Sequence, residues 1–243
     1  MSSLTSSSAF SLDDADAIDL AQKLKLAPER TQLQLIQESQ QTEAGLAGLM
    51  RFLKDQQAQG DGEPGTSIAI AGAVYQALLG AEAAVEFLQV QFPQGVVPLR
   101  SQAGLDYAPL QKLLAQQDFL AADKLTLQNL CELASPAAVQ RKWLYFTEVG
   151  QFPSLDLQTI NALWLAHSGG KFGFSVQREI WLGTGKDWEK LWVKIGWKSG
   201  NIWTRYPQGF TWDLTAPRGH LPLSNQLRGV RTIAALLTHP AWS

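Results

Sequence analysis

Apolar residues recur at helical spacing along most of this chain. In the first stretch Ala17, Leu20, Ala21 and Leu24 fall on one face, behind Ser11 and the acids Asp13, Asp14 and Asp16. Acids there suit the positive end of a helix dipole. Pro28 opens a second helix carrying Leu33 and Ile36, and Leu46, Leu49, Met50 and Leu53 form a third stripe, ended by the turn-rich run at residues 60–65. A fourth helix is predicted from about Thr66 to Phe92, apolar on most sides and therefore lying between the others. The segment Phe92-Pro93-Gln94-Gly95-Val96-Val97-Pro98 interrupts the pattern. The predicted organisation is a helical bundle or solenoid-like domain over 1–92, a linker over 93–104 and a second, mainly helical domain over 105–243.

In the second domain Tyr107, Leu110 and Leu114 share one face of a short helix, and Leu127, Leu130 and Ala134 one face of the next, with Asp106 and Asp123 near their starts. A stretch from about Val139 to Phe146 follows. A helix from about Asp156 then carries Ile160, Leu163, Trp164 and His167 and stops at Gly169-Gly170. Phe174 to Leu182 fits helix or strand, and Asp187 caps a helix bearing Trp188, Leu191, Trp192 and Ile195. From Ser199 to Pro222 periodicity disappears, and Ser224 opens a last helix in which Leu227, Val230 and Ala234 face inward. The fold class is all-α.

Charge sharpens this division. Residues 1–95 hold five Lys or Arg against twelve Asp or Glu, a net of −7, whereas residues 96–243 hold fifteen against ten, a net of +5. A surplus of that size is too small for a nucleic-acid stripe and suits a smaller anionic partner. All nine tryptophans also lie in the second domain. The single Cys131 sits between leucines and reads as an inert buried thiol, and no Lys or Arg precedes Lys23, so a cytoplasmic chain is expected.

Catalytic patterns fail. Gly183-Thr184-Gly185-Lys186 lacks both the first glycine and the following Ser or Thr of a phosphate loop. There is no Gly-x-Ser-x-Gly element and no His-Glu-x-x-His pair. His167, His220 and His239 have no metal-ligand spacing; His167 reads as a core histidine and His220, in Gly219-His220-Leu221-Pro222, as a residue that fixes its loop. No enzyme and no protein-built metal site is expected.

What remains is the stretch 199–222, which holds Trp203, Tyr206, Phe210 and Trp212 among glycines and prolines, followed by Arg228 and Arg231. It is either a loop folded over its own core beside two solvated arginines, or a binding loop. For a flat anionic ligand, burying about 400 Å² of apolar surface contributes on the order of 10 kcal/mol before ordering costs. An Arg–carboxylate pair at a wet rim adds about 0.2–1 kcal/mol. Aromatic surface would supply affinity and the arginines orientation.

Several strings here occur together in order: Phe152-Pro153 with Asp156-Leu157-Gln158-Thr159-Ile160, Gly170-Lys171-Phe172-Gly173-Phe174-Ser175-Val176-Gln177, Phe210-Thr211-Trp212-Asp213-Leu214, Gly219-His220-Leu221-Pro222-Leu223 and Asn225-Gln226-Leu227-Arg228-Gly229. Over roughly residues 105–242 the chain resembles the genomes-uncoupled-four family of tetrapyrrole-binding regulators, and residues 1–92 resemble the extra N-terminal domain of its cyanobacterial members. The resemblance implies a cupped helical fold and a non-enzymatic protein that binds protoporphyrin IX and Mg-protoporphyrin IX and stimulates magnesium chelatase through its H subunit. It implies a ligand face with Phe146 and Val149 on the floor, Tyr206, Phe210 and Leu227 around it, and Arg228 and Arg231 near the propionates. Tyr206 stands where some relatives carry Trp or Phe, which exchanges stacking area for a hydroxyl. Asp156 is expected to cap its helix. A monomer is expected, with peripheral association to photosynthetic membranes suggested by the family alone. The alternative of another class is a helical adaptor whose aromatic loop is a protein interface.

Overall fold

A computed structural model of the chain describes residues 11–59, 67–223 and 230–243. The loop expected at 60–65 and the start of the helix expected at Ser224 lie outside them. The chain divides into two compact units, Met1–Gly95 and Val96–Ser243. The fold is all-α, with thirteen α-helices and two two-residue strands among the described residues.

The first unit contains α1 (Ala15–Leu26), α2 (Glu29–Ser39), α3 (Glu43–Gln59), α4 (Ile68–Leu79) and α5 (Val85–Gln91). The predicted stripes are the buried ones: Ala17, Ala21 and Leu24 on α1 and Leu46, Leu49, Met50 and Leu53 on α3. These two helices pack closely because Gly48 has no side chain; a Cβ there would meet Leu20 Cδ2 at 2.6 Å. Arg51 holds the start of the unit to α3, reaching Asp13 at 2.7 Å and Asp55 at 2.9 Å. The single fourth helix expected from about Thr66 to Phe92 is two. After Gly80 the backbone turns extended at Ala81 and passes through a 3-10 turn at Glu82–Ala84, and the two segments meet at 113°. Glycine is a poor helix former, and an alanine-rich stretch shows no face whose loss would mark the break. The bend leaves a cavity of about 310 Å³ lined by Tyr75, Leu79, Val85, Leu88 and Phe92. No single helix among the described residues is long and apolar enough to cross a membrane.

The second unit runs α6 (Ala108–Ala115), α7 (Phe119–Ala134), α8 (Pro136–Arg141), α9 (Phe146–Val149), α10 (Ser154–His167), α11 (Phe174–Gly183), α12 (Trp188–Lys194), a hairpin of β1 (Lys198–Ser199) and β2 (Ile202–Trp203), and α13 (Arg231–Leu237). Its centre is α10, whose Leu157, Ile160, Leu163, Trp164 and His167 are all buried. Trp164 stacks on Phe119 at 6.0 Å and donates its indole N–H to Thr126 at 3.0 Å, while Phe172 meets Phe119 edge-on at 5.5 Å.

Four local expectations need correction. Helix α7 begins earlier than Asp123 suggests, because Asp118 caps it by accepting the Ala121 N–H at 3.0 Å; Asp123 lies a turn inside and is buried. The stretch at 139–146 contains the end of α8, capped by Ser135 with Pro136 at its first position, and the start of the one-turn α9. Asp156 does not cap α10. Its carboxylate accepts from Ser101 Oγ, from the Gln102 and Ala103 N–H groups at 2.9 and 3.3 Å, and from Tyr107 Oη at 2.8 Å, pinning the segment that enters α6. The fourth correction is inside the aromatic stretch, where Lys198 pairs with Trp203 and Ser199 with Ile202 in a short antiparallel hairpin.

Candidate functional site

One group of candidate residues follows α8. Lys142 adopts a left-handed conformation with φ of 60°, which ends the helix and sends Trp143, Leu144 and Tyr145 back along it. Leu144 and Val149 are buried, leaving the Phe146 ring 42% exposed on the single turn of α9. Helix α13 packs on α9 and α11. Its first residue, Arg231, is exposed and sets its guanidinium 5.4 Å from the Phe146 ring centre. Among the described residues Arg231 makes no ion pair, whereas Arg51, Arg141 and Arg218 each hold a carboxylate.

A second group stands on the loop after β2. Tyr206, Phe210 and Trp212 form a triangle of rings 5.9–6.5 Å apart, fixed by the Trp212 indole N–H on the Pro207 carbonyl at 2.9 Å. Tyr206 is 41% exposed, but Phe210 is buried against the His220 ring at 5.3 Å. Any contact between Phe210 and a ligand therefore requires that ring to leave its place.

His220 is the loop's anchor. Its Nε2 accepts the Thr211 N–H at 3.2 Å, and its Nδ1 lies 2.6 Å from the Ile195 carbonyl. An amide can only donate, so Nε2 is bare, Nδ1 carries the proton and the ring is neutral. Burial lowers the His220 pKa, and the Ile195 carbonyl opposes that only in part. The role expected of His220 as a loop-fixing residue is met.

Asp123, not singled out as a site residue from the sequence, stands at the end of this loop. It accepts the Leu223 N–H at 2.6 Å across a hundred residues of chain. Burial pushes its carboxyl up to about 7, against the pull of that N–H. Burial, and secondarily the charge of Asp123, raise the Tyr206 hydroxyl. The sequence carried no local signal for this, since Asp123 looks like any polar residue of an amphipathic helix. By contrast Arg141, Trp143, Tyr145 and Glu148 form a dense aromatic and charged cluster whose close spacing could have been noticed.

Of the expected site residues, Phe146 and Arg231 touch, and Tyr206 and Phe210 lie 6.5 Å apart. Val149 is fully buried and supports the turn rather than offering a surface. Leu227 and Arg228 lie outside the described residues. Burial pushes the Cys131 thiol up to about 11 and the His167 imidazole down to about 4, which suits both as interior groups.

Beside the loop, tryptophans stack in series. Trp181 to Trp188 is 4.7 Å, Trp188 to Trp192 5.4 Å, and Trp192 meets both Trp197 at 5.5 Å and Trp203 at 5.7 Å. Trp197 donates its indole N–H to the His220 carbonyl at 2.8 Å, which links the stack to the loop anchor.

Comparison with known proteins gives consistent matches. A family model described as GUN4-like matches residues 100–240, and one described as an ARM-like repeat domain, GUN4-N terminal, matches residues 9–93. A Ycf53-like protein of Synechocystis sp. is 62% identical over 174 residues, covering 71% of this chain and 75% of the relative. A protein of Arabidopsis thaliana named "Tetrapyrrole-binding protein, chloroplastic" is 39% identical over 143 residues, 55% of this chain and 54% of that one. The solved structure of GUN4 from Chlamydomonas reinhardtii superposes with a TM-score of 0.56 at 42% identity, covering 60% of this chain and 97% of the other.

Proposed function

The chain belongs to the GUN4-like family, and from that premise we propose that it is a tetrapyrrole-binding regulator rather than an enzyme. The observation that carries this reading is the Phe146–Arg231 pair: a half-exposed aromatic ring with a guanidinium over it that holds no carboxylate among the described residues. A planar macrocycle would take the guanidinium's place on the ring, and its acid groups would meet the displaced arginine. An exposed cation–π contact contributes about 0.5–1 kcal/mol and an Arg–carboxylate pair at a wet rim about 0.2–1 kcal/mol, so exchanging the ring for a carboxylate is nearly neutral and the arginine mainly sets orientation. Tyr206 offers a second exposed ring. Leu227 and Arg228 complete the proposed site on family grounds, with Val149 and Phe210 behind it.

The ligands proposed are protoporphyrin IX and Mg-protoporphyrin IX, and the partner is the H subunit of magnesium chelatase, which the loaded protein stimulates. The Arabidopsis relative's name supports the ligand class. A monomer in the cytoplasm, at most peripheral to photosynthetic membranes, completes the proposal. Titrating the full chain with protoporphyrin IX, followed by the porphyrin absorption band and by tryptophan quenching, tests it. Saturable binding is expected, weakened about tenfold by Phe146→Ala, equivalent to ~1.4 kcal/mol, and about twofold to fivefold by Arg231→Ala, as befits a rim charge. Absence of saturable binding would refute the reading and favour a protein-interface role for the loop.

A further inference from the structure

We propose that Arg141 and Glu148 form a positioning clamp that sets where the Phe146 ring stands, an inference that rests on the tetrapyrrole reading of the site. Helix α9 is a single turn of four residues, too short to hold its own shape in water. What holds it is Glu148. One carboxylate oxygen accepts the Tyr145 N–H at 2.8 Å, closing the start of the turn, and both oxygens lie 2.8 Å from the Arg141 guanidinium. Ser135 Oγ, at the start of α8, stands 3.5 Å from the same carboxylate. Arg141 is engaged on its other sides too, with its guanidinium 4.5 Å from the Tyr145 ring centre and 5.1 Å from that of Trp143, two rings that meet each other edge-on at 4.5 Å. The clamp thus ties the end of α8 to Tyr145, just before the turn, and to Glu148 within it.

Electrostatics agree with this geometry. Burial alone would raise the Glu148 carboxyl, yet the Tyr145 N–H and the Arg141 guanidinium outweigh it and hold the group below its usual range. The pair is about a quarter exposed on each side, and the packing of the segment does not rest on it alone. Leu144, Val149 and Phe152 remain as buried anchors of the segment. Phe146 has no such anchor of its own; it is half-exposed, with Arg231 on it. Releasing the clamp should therefore shift the ring and the guanidinium facing it while the core stays packed. A role in positioning and a role in stability make different forecasts.

The test compares Glu148→Ala, Glu148→Gln, Arg141→Ala and Phe146→Ala in the full chain, using protoporphyrin IX as probe. The readouts are the dissociation constant, the induced circular dichroism of the bound porphyrin band, which depends on how the macrocycle sits against the protein's rings, and the urea midpoint. Glu148→Ala and Arg141→Ala are expected to weaken binding about fivefold and to change the shape of the induced band, with little change in midpoint. Glu148→Gln, which keeps an acceptor for the Tyr145 N–H, should fall between them and the parent, and it decides the matter if Glu148→Ala does not fold. Unchanged affinity and band shape in the clamp variants, with binding weakened by Phe146→Ala, would overturn the clamp and leave the site reading standing. A silent Phe146→Ala would overturn both.

Discussion

Replacing His220 by Phe isolates what the loop anchor contributes. The ring is 2% exposed, so Phe keeps the volume and the face toward Phe210 while deleting both nitrogens. The Ile195 carbonyl and the Thr211 N–H then lose their partners. A stranded buried polar group costs about 1–3 kcal/mol, and Thr211 is only half-buried, so the sum is about 2–4 kcal/mol. Urea unfolding followed by circular dichroism at about pH 7.5, above the ordinary histidine pKa of about 6.5, measures it directly. The sign of the pH dependence is a second check. Burial depresses the folded pKa of His220, so the unfolded chain takes up the proton more readily and the histidine's contribution is lost as pH falls below about 6.5. The variant lacks that titration, and the gap between parent and variant should narrow in acid. A gap below about 0.5 kcal/mol near pH 7.5, or one that widens on acidification, would refute the anchoring argument.

Other predictions follow from the buried polar groups. With His167 depressed from 6.5 to about 4 by burial, the parent should lose about 3 kcal/mol relative to a His167→Gln variant between pH 7 and 4; parallel stability curves for the two would contradict this. Asp156→Ala leaves four donors without their shared acceptor and should cost about 3 kcal/mol or more in chemical denaturation, whereas a loss under about 1 kcal/mol would mean that water reaches the segment. Cys131, buried and with its thiol raised to about 11, should react with a thiol reagent only at the rate of unfolding, and rapid modification of the folded chain would argue against its burial.

Features that a few consecutive residues decide were legible in the sequence. The stripes of α1 and α3, the Asp187 cap of α12, which accepts the Lys190 N–H at 3.1 Å, and the role of His220 follow from spacing and local chemistry. The bend between α4 and α5 was hidden, because alanine fills every side of that stretch and no apolar face changes direction. The partners of Asp123 and Asp156 were hidden for a different reason: each reaches across roughly fifty to a hundred residues, and sequence spacing says nothing about such approaches. For Asp156 a short-range rule gave the wrong answer, since an acid in a helix's first turn suggests capping until a distant segment supplies better donors. At the proposed ligand face, Phe146 and Arg231 share no local pattern at all. Their expected roles came from resemblance, and the contact between them comes from the packing of α13 on α9.

The stacked tryptophans have an optical consequence. Indoles about 5 Å apart exchange excitation before they emit, so light absorbed at Trp181 can be lost at Trp203 on the hairpin. An acceptor pigment arriving beside that hairpin would darken the whole series at once. Emission from these five tryptophans would then report that a pigment had bound but not which of them it lies against; that takes substitution of the tryptophans one at a time.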